Sequence, residues 1–324
     1  MKVAVLAGGL GGSRFARALT ETLAPRDVTV VGNVGDDLEV AGLHISPDLD
    51  TILYTLAGVL DEDQGWGRAG ETWNARDAAT ELGGETWFQL GDRDLGLHLV
   101  RTEALGRGEP LSTITARFAR VFDVEATLLP ATDDRLRTWI ETPAGEFPFQ
   151  EWFVQRGHRD EVDGVRFVGI DEARAAPGVL EALDAADLIA IAPSNPFVSI
   201  GPILAIAEIR DALEQRSVPA VAVSPLIGGR TVRGPADRML ERLAGGTGPA
   251  QVASCYKGLI DALVIDEADA DEDAGISTIV TRTLMSDAAA RRRLAEAVLG
   301  APVGTAAPAK PARPPWSASQ ASAL

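Results

Sequence analysis

The sequence predicts an α/β protein with a Rossmann-like, doubly wound and mainly parallel sheet that carries a helical and hairpin insertion. Residues 2–7 form a short apolar run, which leads through a glycine-rich segment into apolar residues at helical spacing, and a second apolar run follows at 28–31. Three more short apolar runs occur at 188–192, 220–223 and 263–265, and helical patterns follow the first two of these. Strands that alternate with helices in this way are typical of parallel sheets.

Composition narrows the function classes. The chain has 324 residues, of which 46% are hydrophobic and 24% charged, an ordinary globular mixture. Its formal net charge of −17 disfavours binding to nucleic acid or to an anionic membrane through charge alone. The single cysteine, Cys255, cannot form an internal disulfide. No apolar run suits a signal peptide or approaches the roughly 18 residues of a membrane span. We therefore expect a cytoplasmic protein with no nucleic-acid or membrane partner.

The domain organisation follows from changes of pattern along the chain. Residues 1–300 are expected to form a single α/β domain, within which 50–170 is an inserted cap. The first part of this cap has helical patterns, whereas the apolar runs 136–140 and 147–154 predict a hairpin. Residues 301–324 are rich in Ala, Pro and Ser without apolar periodicity, which predicts a flexible tail.

A glycine-rich segment directly follows the first predicted strand. Gly8, Gly9, Gly11 and Gly12 allow a close approach of the backbone to an anion, and the following helix would point unpaired N–H groups at the same place. Arg14, in the first helical turn, is in reach of a bound phosphate. The alternatives are a tight turn without a ligand and an arginine that is merely solvated. The segment is not a Walker A loop, because no Gly-Lys-Ser/Thr follows.

Four aspartates form an acidic cluster after the second strand. Asp36 and Asp37 follow that strand, and Asp48 and Asp50 open a helical pattern. Asp48 or Asp50 taken alone would be interpreted as a helix N-cap. If the cluster lies at the same sheet edge as the glycines, its mutual repulsion needs a counter-charge, and oxygen ligands suit Mg²⁺. The sequence thus predicts that at least two of the four bind magnesium.

Ser194 and Asn195 follow the strand at 188–192, so they belong to the same ligand-binding edge of a parallel sheet. They would contact a base or ribose, or would only satisfy the backbone of a turn. The segment 91–94, Gly-Asp-Arg-Asp, is interpreted by itself as a salt-bridged surface turn. The three histidines lack ligand spacing and receive no metal or catalytic role. Trp66, Trp73 and Trp87 are expected to pack in the core or cap.

A family resemblance rests on many segments in a fixed order rather than on any one of them. The segments are GGLGGSRFARAL, GNVGDD, ISPDLDTILYTLAG, GWG, ETWNARD, LGDRDLGLHLVR, FQEWFV, APSNPFVSIGPIL, VSPLIGG and RGPADRML. Together they resemble the 2-phospho-L-lactate transferase family, whose actinobacterial members are phosphoenolpyruvate transferases of coenzyme F420 biosynthesis. The resemblance covers roughly residues 1–300 and leaves only the tail outside.

The resemblance implies a reaction, a metal and an assembly. A phosphoenolpyruvyl or phospholactyl group would pass from a GDP-type donor to the deazaflavin Fo, 7,8-didemethyl-8-hydroxy-5-deazariboflavin. GMP would be released, and coenzyme F420-0 or its dehydro form would be made. The resemblance also implies that the protein is a homodimer and requires Mg²⁺.

The resemblance also suggests a role for each candidate residue. Asp36 and Asp50 would bind Mg²⁺, Asp48 or Asp50 would orient or deprotonate the acceptor hydroxyl, and Asp50 and Arg93 would contact Fo. The residues expected to bind the nucleotide are Gly8, Gly9, Gly11, Gly12, Arg14, Asn33, Ser194 and Asn195.

Two other function classes stay open on the sequence. The chain also resembles regulatory proteins of the same superfamily, which bind a UDP-sugar without catalysis. The segments GNVGDD, SPDLDT and LGDRD favour the transferase over these regulators. A nicotinamide-dependent oxidoreductase is suggested by the glycine-rich first turn. Against it, GGLGG departs from G-x-G-x-x-G, and no acidic residue ends the second strand to bind a ribose.

Overall fold

The computed structural model describes residues 1–301, so the predicted tail lies outside the described residues except for its first position. The strands are β1 (Val3–Ala7), β2 (Val28–Gly32), β3 (Leu38–Val40), β4 (Leu43–Ile45), β5 (Thr127–Pro130), β6 (Arg137–Thr142), β7 (Gly145–Pro148), β8 (Gly164–Val168), β9 (Leu188–Ile191), β10 (Ala220–Val223), β11 (Leu226–Ile227), β12 (Arg230–Thr231), β13 (Ala262–Asp266) and β14 (Ser277–Thr281). The helices are α1 (Gly9–Thr22), α2 (Pro47–Leu56), α3 (Asn74–Glu81), α4 (Asp92–Gly106), α5 (Leu111–Val121), α6 (Val179–Asp184), α7 (Gly201–Ala205), α8 (Ala207–Glu214), α9 (Ala236–Ala244), α10 (Pro249–Cys255) and α11 (Ala288–Leu299).

The central sheet has seven strands in the order β14-β13-β10-β9-β1-β2-β5. Every neighbouring pair in it is parallel. In order along the chain these are strands 7-6-5-4-1-2-3, which is the doubly wound Rossmann order with one further strand. The predicted α/β fold class is therefore confirmed. The strand order reverses between β1 and β9, and ligands of such sheets bind outside the carboxyl ends of the strands at this point.

The apolar runs form strands because the sheet is covered on both faces. Every residue of β1, β9, β10 and β13 is buried. A parallel strand buried on both faces needs an almost continuous apolar run rather than an alternating one, and the sequence has such runs at these positions. The core of the molecule is therefore the sheet itself, with helices packed on both sides.

The glycine-rich segment is a helical turn rather than a separate loop. Helix α1 already begins at Gly9, so only Gly8 stands between it and β1. The predicted arrangement of strand, loop and helix is thus shortened to strand and helix. This brings the N-terminal N–H groups of α1 directly to the edge of the sheet.

The predicted hairpin is only partly correct. Strands β6 and β7 do pair antiparallel, but β7 ends at Pro148, and Glu151–Gln155 forms a π-helical turn. Phe149 and Trp152 are buried at a spacing of three, which suits a helical turn better than a strand. The second antiparallel partner of β6 is β8, which the sequence analysis did not identify.

Residues 50–170 contribute to the central sheet as well as to the cap. Strand β5 comes from within this range and pairs parallel with β2 at the edge of the sheet. Helices α3, α4 and α5 and the β6–β8 sheet make up much of the rest. A short hairpin, β3 with β4, carries the chain from β2 to α2.

Across residues 1–301, none of the helices combines the length and the apolar character that a membrane crossing requires.

Candidate active site

A cavity of about 610 Å³ opens at the carboxyl edge of the sheet, beside the point where the strand order reverses. It is lined by the segments that follow β1, β9 and β10, together with residues of α2 and α4. Gly8, Ser194 and Ser224 mark the ends of those three strands. The position agrees with the general rule for ligands of doubly wound sheets.

The side chain of Ser194 links the segment that follows β9 to Gly8 at the end of β1. Its Oγ donates to the Gly8 carbonyl at 2.7 Å and accepts from the Gly8 N–H at 3.4 Å. A Cβ on Gly12 would lie 2.7 Å from Ser194 Oγ, and one on Gly11 would lie 2.6 Å from the Pro193 carbonyl oxygen. Gly11 and Gly12 are therefore required by the close contact of α1 with the segment after β9, whether or not a phosphate binds.

Gly9 has a different reason to be glycine. Its φ is +65°, a left-handed conformation, whereas the nearest atom to an added Cβ would be Ser199 Oγ at 4.0 Å. It begins α1, and Gly8 at the N-cap offers no side chain to the first N–H groups. Arg14 also lines the cavity, and its guanidinium pairs with Glu62 at 2.8 Å. The N-terminus of α1 thus faces the cavity with positive partial charge.

Asn33 holds two of the predicted carboxylates. It is fully buried, and its Nδ2 lies 3.0 Å from Asp36 Oδ1, 2.9 Å from Asp48 Oδ2 and 3.2 Å from the Val198 carbonyl oxygen. Its own Oδ1 accepts from the Gly35 N–H at 2.8 Å. Asn33 was predicted to contact the nucleotide, yet it does not line the cavity and instead sets the positions of Asp36 and Asp48.

Asp36 and Asp48 both line the cavity and repel each other. Burial and the neighbouring Asp48 carboxylate raise the pKa of Asp36 well above its usual value. Burial raises the pKa of Asp48 to about 6, although hydrogen bonds from Asn33 and from the Gly9 backbone work in the opposite direction. Two carboxylates that resist ionisation side by side are a donor set suited to a hard cation.

Mg²⁺ is the cation whose fit to this pair has to be considered, because the sequence predicts it. The residues of the described chain contain no group of three or more His, Cys, Asp or Glu side chains placed to hold a metal ion. Mg²⁺ is commonly held by only one or two carboxylates, with water and substrate phosphates completing its shell. The two carboxylates of Asp36 and Asp48 therefore fit a magnesium ion shared with a phosphate ligand.

Asp50 lines the same cavity but is already paired. Both of its carboxylate oxygens bind the guanidinium of Arg101, with Nη1 3.0 Å from Oδ2 and Nη2 on Oδ1. His98 Nδ1 lies 3.8 Å from Asp50 Oδ2, and all three side chains are buried. Asp50 raises the pKa of Arg101, although burial works in the opposite direction. Burial lowers the pKa of His98 to about 4. Asp50 is thus a charged group neutralised from behind by an arginine.

Sequence reasoning missed Arg101 and His98. The available signal is their separation of three on α4, which puts both on one face of that helix. No pattern shows that this face packs on Asp50, some fifty positions earlier. His98 had been given no role, yet it lines the cavity.

Asp37 stands apart from the cavity. Its Oδ2 accepts from Ser46 Oγ at 2.9 Å and lies 2.9 Å from His44 Nε2. Among the cluster of four aspartates, this one supports the segment between β2 and α2 and does not line the cavity.

The structure does not bring Arg93 into the cavity lining. Arg93 is exposed, and its Nη1 donates to the Ala69 carbonyl at 3.2 Å. The next residue, Asp94, does line the cavity, is 5% exposed and accepts from the Tyr54 hydroxyl at 2.7 Å. Burial raises the pKa of Asp94 to about 7. The segment 91–94 is therefore part of the site and not only a surface turn.

Asn195 lines the cavity while capping the turn that follows β9. Its Oδ1 accepts from the Phe197 N–H at 2.9 Å and from the Val198 N–H at 3.4 Å, and its Nδ2 lies 3.3 Å from Met239 Sδ. The side chain is thus held mainly by its own turn, and this turn keeps the edge of the cavity in place.

One wall of the cavity is aromatic. The aromatic wall consists of the lining residues Trp66, Trp87, Phe88, Phe149 and Phe153, and the rings of Phe149 and Phe153 stack with centroids 5.2 Å apart. Trp66 and Trp87 had been expected only to pack in the core or cap, but both face the cavity. A flat, mainly apolar ligand would fit against such a wall.

Comparison with known proteins identifies a family for this chain. The family model described as "2-phospho-L-lactate transferase CofD" matches residues 3–294. A protein named phosphoenolpyruvate transferase from Streptomyces griseus subsp. griseus is 42% identical over 310 residues, which cover 92% of this chain and 98% of that protein. Proteins with the same name from Thermobifida fusca and Mycolicibacterium smegmatis are 44% and 40% identical, over 89% and 92% of this chain and 93% and 98% of those proteins.

Solved structures support the fold. A Bacillus halodurans protein, described in one of its two crystal structures as a member of the UPF0052 family, superposes with TM-scores of 0.64 and 0.63. The sequence identities are 19% and 18%, and each comparison covers 92% of this chain and 99% or 98% of the other. At this identity the likeness concerns the fold alone.

Proposed function

This chain belongs to the 2-phospho-L-lactate transferase family, and we propose from that premise that it transfers a phosphoenolpyruvyl group from a GDP-type donor to the deazaflavin Fo. GMP is released, and the product is dehydro coenzyme F420-0. The names of the curated relatives support phosphoenolpyruvate rather than phospholactate as the acid that is transferred. The two acids differ by only two hydrogens, so phospholactate is the donor to test beside it.

One structural observation carries the proposal. Asn33 holds the carboxylates of Asp36 and Asp48 at the edge of the cavity, next to the N-terminus of α1. A diphosphate suits both neighbours, because a helix terminus offers N–H donors and carboxylates offer ligands for a cation. The same cavity has an aromatic wall against which a flat deazaflavin ring could stack.

We assign the metal to Asp36 and Asp48. The sequence analysis paired Asp36 with Asp50, but both oxygens of Asp50 are bound by Arg101. A bound Mg²⁺ would offset the negative charge of the diphosphate. Asp36 and Asp48 are held at the cavity by Asn33, so their positions do not depend on the substrate.

The nucleotide is assigned to the strand ends around the α1 terminus. Gly8 and Gly9 begin the N-terminal turn of α1 that would face the diphosphate, and Arg14, which pairs with Glu62, lines the cavity on the next turn. Ser194 keeps Gly8 in place through its two hydrogen bonds, and Asn195 shapes the adjoining turn. Gly11, Gly12 and Asn33 support this arrangement from behind.

The acceptor is assigned to the aromatic wall and α2. Asp50 is paired with Arg101, and it would accept a hydrogen bond from the terminal hydroxyl of Fo. The oxygen of this hydroxyl attacks the phosphorus that carries the phospho-acid, and the bond from that phosphorus to the oxygen of GMP breaks. Arg93 lies outside the cavity lining, so it would contact only a part of Fo that extends beyond that lining.

The assay that tests this proposal offers Fo with separately prepared phosphoenolpyruvyl- and phospholactyl-diphosphoguanosine, with and without Mg²⁺. Mass spectrometry follows GMP and the deazaflavin product together. We expect product from the phosphoenolpyruvyl donor in the presence of Mg²⁺. Folded protein that forms neither product with either donor, but binds a UDP-sugar tightly, would overturn the proposal in favour of the non-catalytic regulator.

The proposal includes an assembly and a compartment. We expect a homodimer that works in the cytoplasm, because the family resemblance implies the first and the composition favours the second. Light scattering after size-exclusion chromatography measures the mass in solution, and a mass near that of one 34.1 kDa chain would contradict the dimer.

A further inference from the structure

The transfer proposed above releases one proton from the acceptor hydroxyl, and the fate of this proton depends on which carboxylate is free to take it. Four carboxylates line the cavity within the described residues: Asp36, Asp48, Asp50 and Asp94. The hydrogen-bond and ion-pair partners of the four carboxylates differ, and these partners decide which carboxylate is free to accept the proton.

Three of the four are engaged in ways that make them poor proton acceptors. Both oxygens of Asp50 bind Arg101, so protonation would break a buried ion pair. Asp36 and Asp48 share the Nδ2 of Asn33 and form the proposed magnesium site. A carboxylate that holds a cation has to stay ionised throughout the reaction.

Asp94 differs from the other three. Its Oδ1 accepts from the Tyr54 hydroxyl at 2.7 Å, whereas Oδ2 receives no hydrogen bond from any residue in the range 1–301. Asp94 has no salt-bridge partner within the same range. It is buried and lines the cavity, and the Tyr54 hydroxyl fixes one of its two oxygens.

The backbone around Asp94 fixes its direction. The Glu71 carboxylate accepts from the backbone N–H groups of Arg93 and Asp94 at 2.8 and 3.1 Å, so it caps the N-terminus of α4. Tyr54 follows Asp50 by four positions on α2, which puts the two on one face of that helix. The hydrogen bond from Tyr54 therefore brings Asp94 to the face of α2 that we assign to the acceptor hydroxyl.

We propose that Asp94 receives the proton of the Fo hydroxyl when its oxygen attacks phosphorus, and that Tyr54 positions Asp94 for this step. The inference rests on the proposed function. The O–H bond of the acceptor breaks, its electron pair forms the new O–P bond, the P–O bond to GMP breaks, and the proton passes to Asp94 Oδ2. Release of the proton to water restores the carboxylate.

The surroundings of Asp94 suit a proton acceptor at neutral pH. Burial raises its pKa to about 7, the Tyr54 hydrogen bond and Arg68 act to lower it, and the charges of Asp50 and Glu71 act to raise it. A general base works best when its pKa lies near the working pH. The pH dependence of turnover should therefore show a limb that rises through about pH 7.

The experiment compares wild type, Asp94→Asn and Tyr54→Phe at saturating Mg²⁺, with kcat and kcat/KM measured from pH 5 to 9. Asp94→Asn keeps the shape of the side chain and loses its basicity, so kcat should fall about 100-fold to 10,000-fold and the rising limb should disappear. Tyr54→Phe removes a hydrogen bond that lowers the Asp94 pKa, so its limb should move to higher pH. The Kd for Fo, measured by calorimetry, should stay within about threefold in Asp94→Asn.

The control is Glu103→Gln, which removes an exposed carboxylate from the same helix and should leave turnover unchanged. If Asp94→Asn keeps the kcat of wild type, or loses only affinity for Fo, Asp94 is not the proton acceptor. If Asp94→Asn does not fold, the Tyr54→Phe profile decides, and an unmoved limb refutes the inference. Wild-type enzyme with no turnover on either donor contradicts the proposed function instead, so the two failures are distinguishable.

Discussion

Arg101 binds both carboxylate oxygens of Asp50, and the two side chains are buried together beneath the cavity. The pair joins α4 to α2 and keeps a charged carboxylate where water is largely excluded. Asp50 lines the cavity, whereas Arg101 does not. The stability of the site therefore depends on a group that has no direct contact with the cavity.

Removal of Arg101 should destabilise the protein strongly. Arg101→Met leaves the Asp50 charge buried without a partner, which typically costs about 3–5 kcal/mol of the free energy of unfolding. Urea unfolding followed by circular dichroism measures the loss. The double variant Arg101→Met with Asp50→Leu removes both charges and should recover much of it. A single variant that is as stable as wild type would show that Asp50 is not held as a buried charge.

Replacement of Asn33 should weaken metal binding more than it weakens the fold. Asn33→Ala removes the amide that sets the positions of Asp36 and Asp48, and the loss of such a supporting contact commonly costs 10-fold to 100-fold in metal affinity. Calorimetric titration with Mg²⁺ in the presence of GDP measures the Kd. Ser46→Ala is the matched control, because it removes a hydrogen bond to Asp37, outside the cavity. Equal Mg²⁺ affinity in Asn33→Ala and wild type would exclude the proposed role.

The glycines of α1 should tolerate alanine less well than a glycine of α4. Gly11→Ala would put a Cβ 2.6 Å from the Pro193 carbonyl oxygen, so α1 has to shift and unfolding should become easier by about 1–3 kcal/mol. Gly96 lies in α4 with no atom within 4 Å of its added Cβ. Gly96→Ala should therefore stabilise by up to about 1 kcal/mol through helix propensity. The urea midpoints of Gly11→Ala and Gly96→Ala measure the two effects. Midpoints that move in the same direction would contradict the prediction.

Stability without Mg²⁺ should depend on pH through Asp48. Its pKa rises from 3.8 to about 6 on folding, so the folded state binds the proton more tightly than the unfolded state. The resulting stability is fully present below about pH 4 and is lost as the pH rises to about 6 and above. Asp48→Asn should flatten this decline, and added Mg²⁺ should stabilise the wild type more at pH 7 than at pH 5. Thermal unfolding at several pH values measures both effects, and a decline of equal size in Asp48→Asn would remove Asp48 as its source.

The fold follows from the sequence more completely than the site does. The runs that form β1, β2, β9, β10 and β13 are apolar because both faces of a parallel strand are buried, and this requirement is local enough to recognise. Strand β5 was not identified, because it follows a helical region and only its pairing with β2 makes it part of the sheet.

The site depends on contacts that no spacing reveals. Asp36 was recognised after the second strand and Asp48 at the start of a helical pattern, as members of one acidic cluster. Arg101 and Asp94 act on α2 from a helix some forty to fifty positions further along the chain, so only tertiary packing places them. Arg93 was selected in place of Asp94 because a motif identifies a segment, whereas the direction of each side chain is set by the turn of the helix.

Asp50→Asn should abolish most turnover while the protein stays folded. The amide keeps the size of the side chain but brings no negative charge to the acceptor hydroxyl, and its N–H₂ group would face the Arg101 guanidinium. Product formation, followed by mass spectrometry, should fall at least about 100-fold, the range expected when a group that orients a reactant is lost. The double variant Arg101→Met with Asp50→Asn separates the loss of the negative charge from the clash with the guanidinium. It removes the clash, but the negative charge of Asp50 is still absent. Near-normal turnover by the single variant would take Asp50 out of the reaction, and recovery in the double variant would show that it acts only through the conformation of α4.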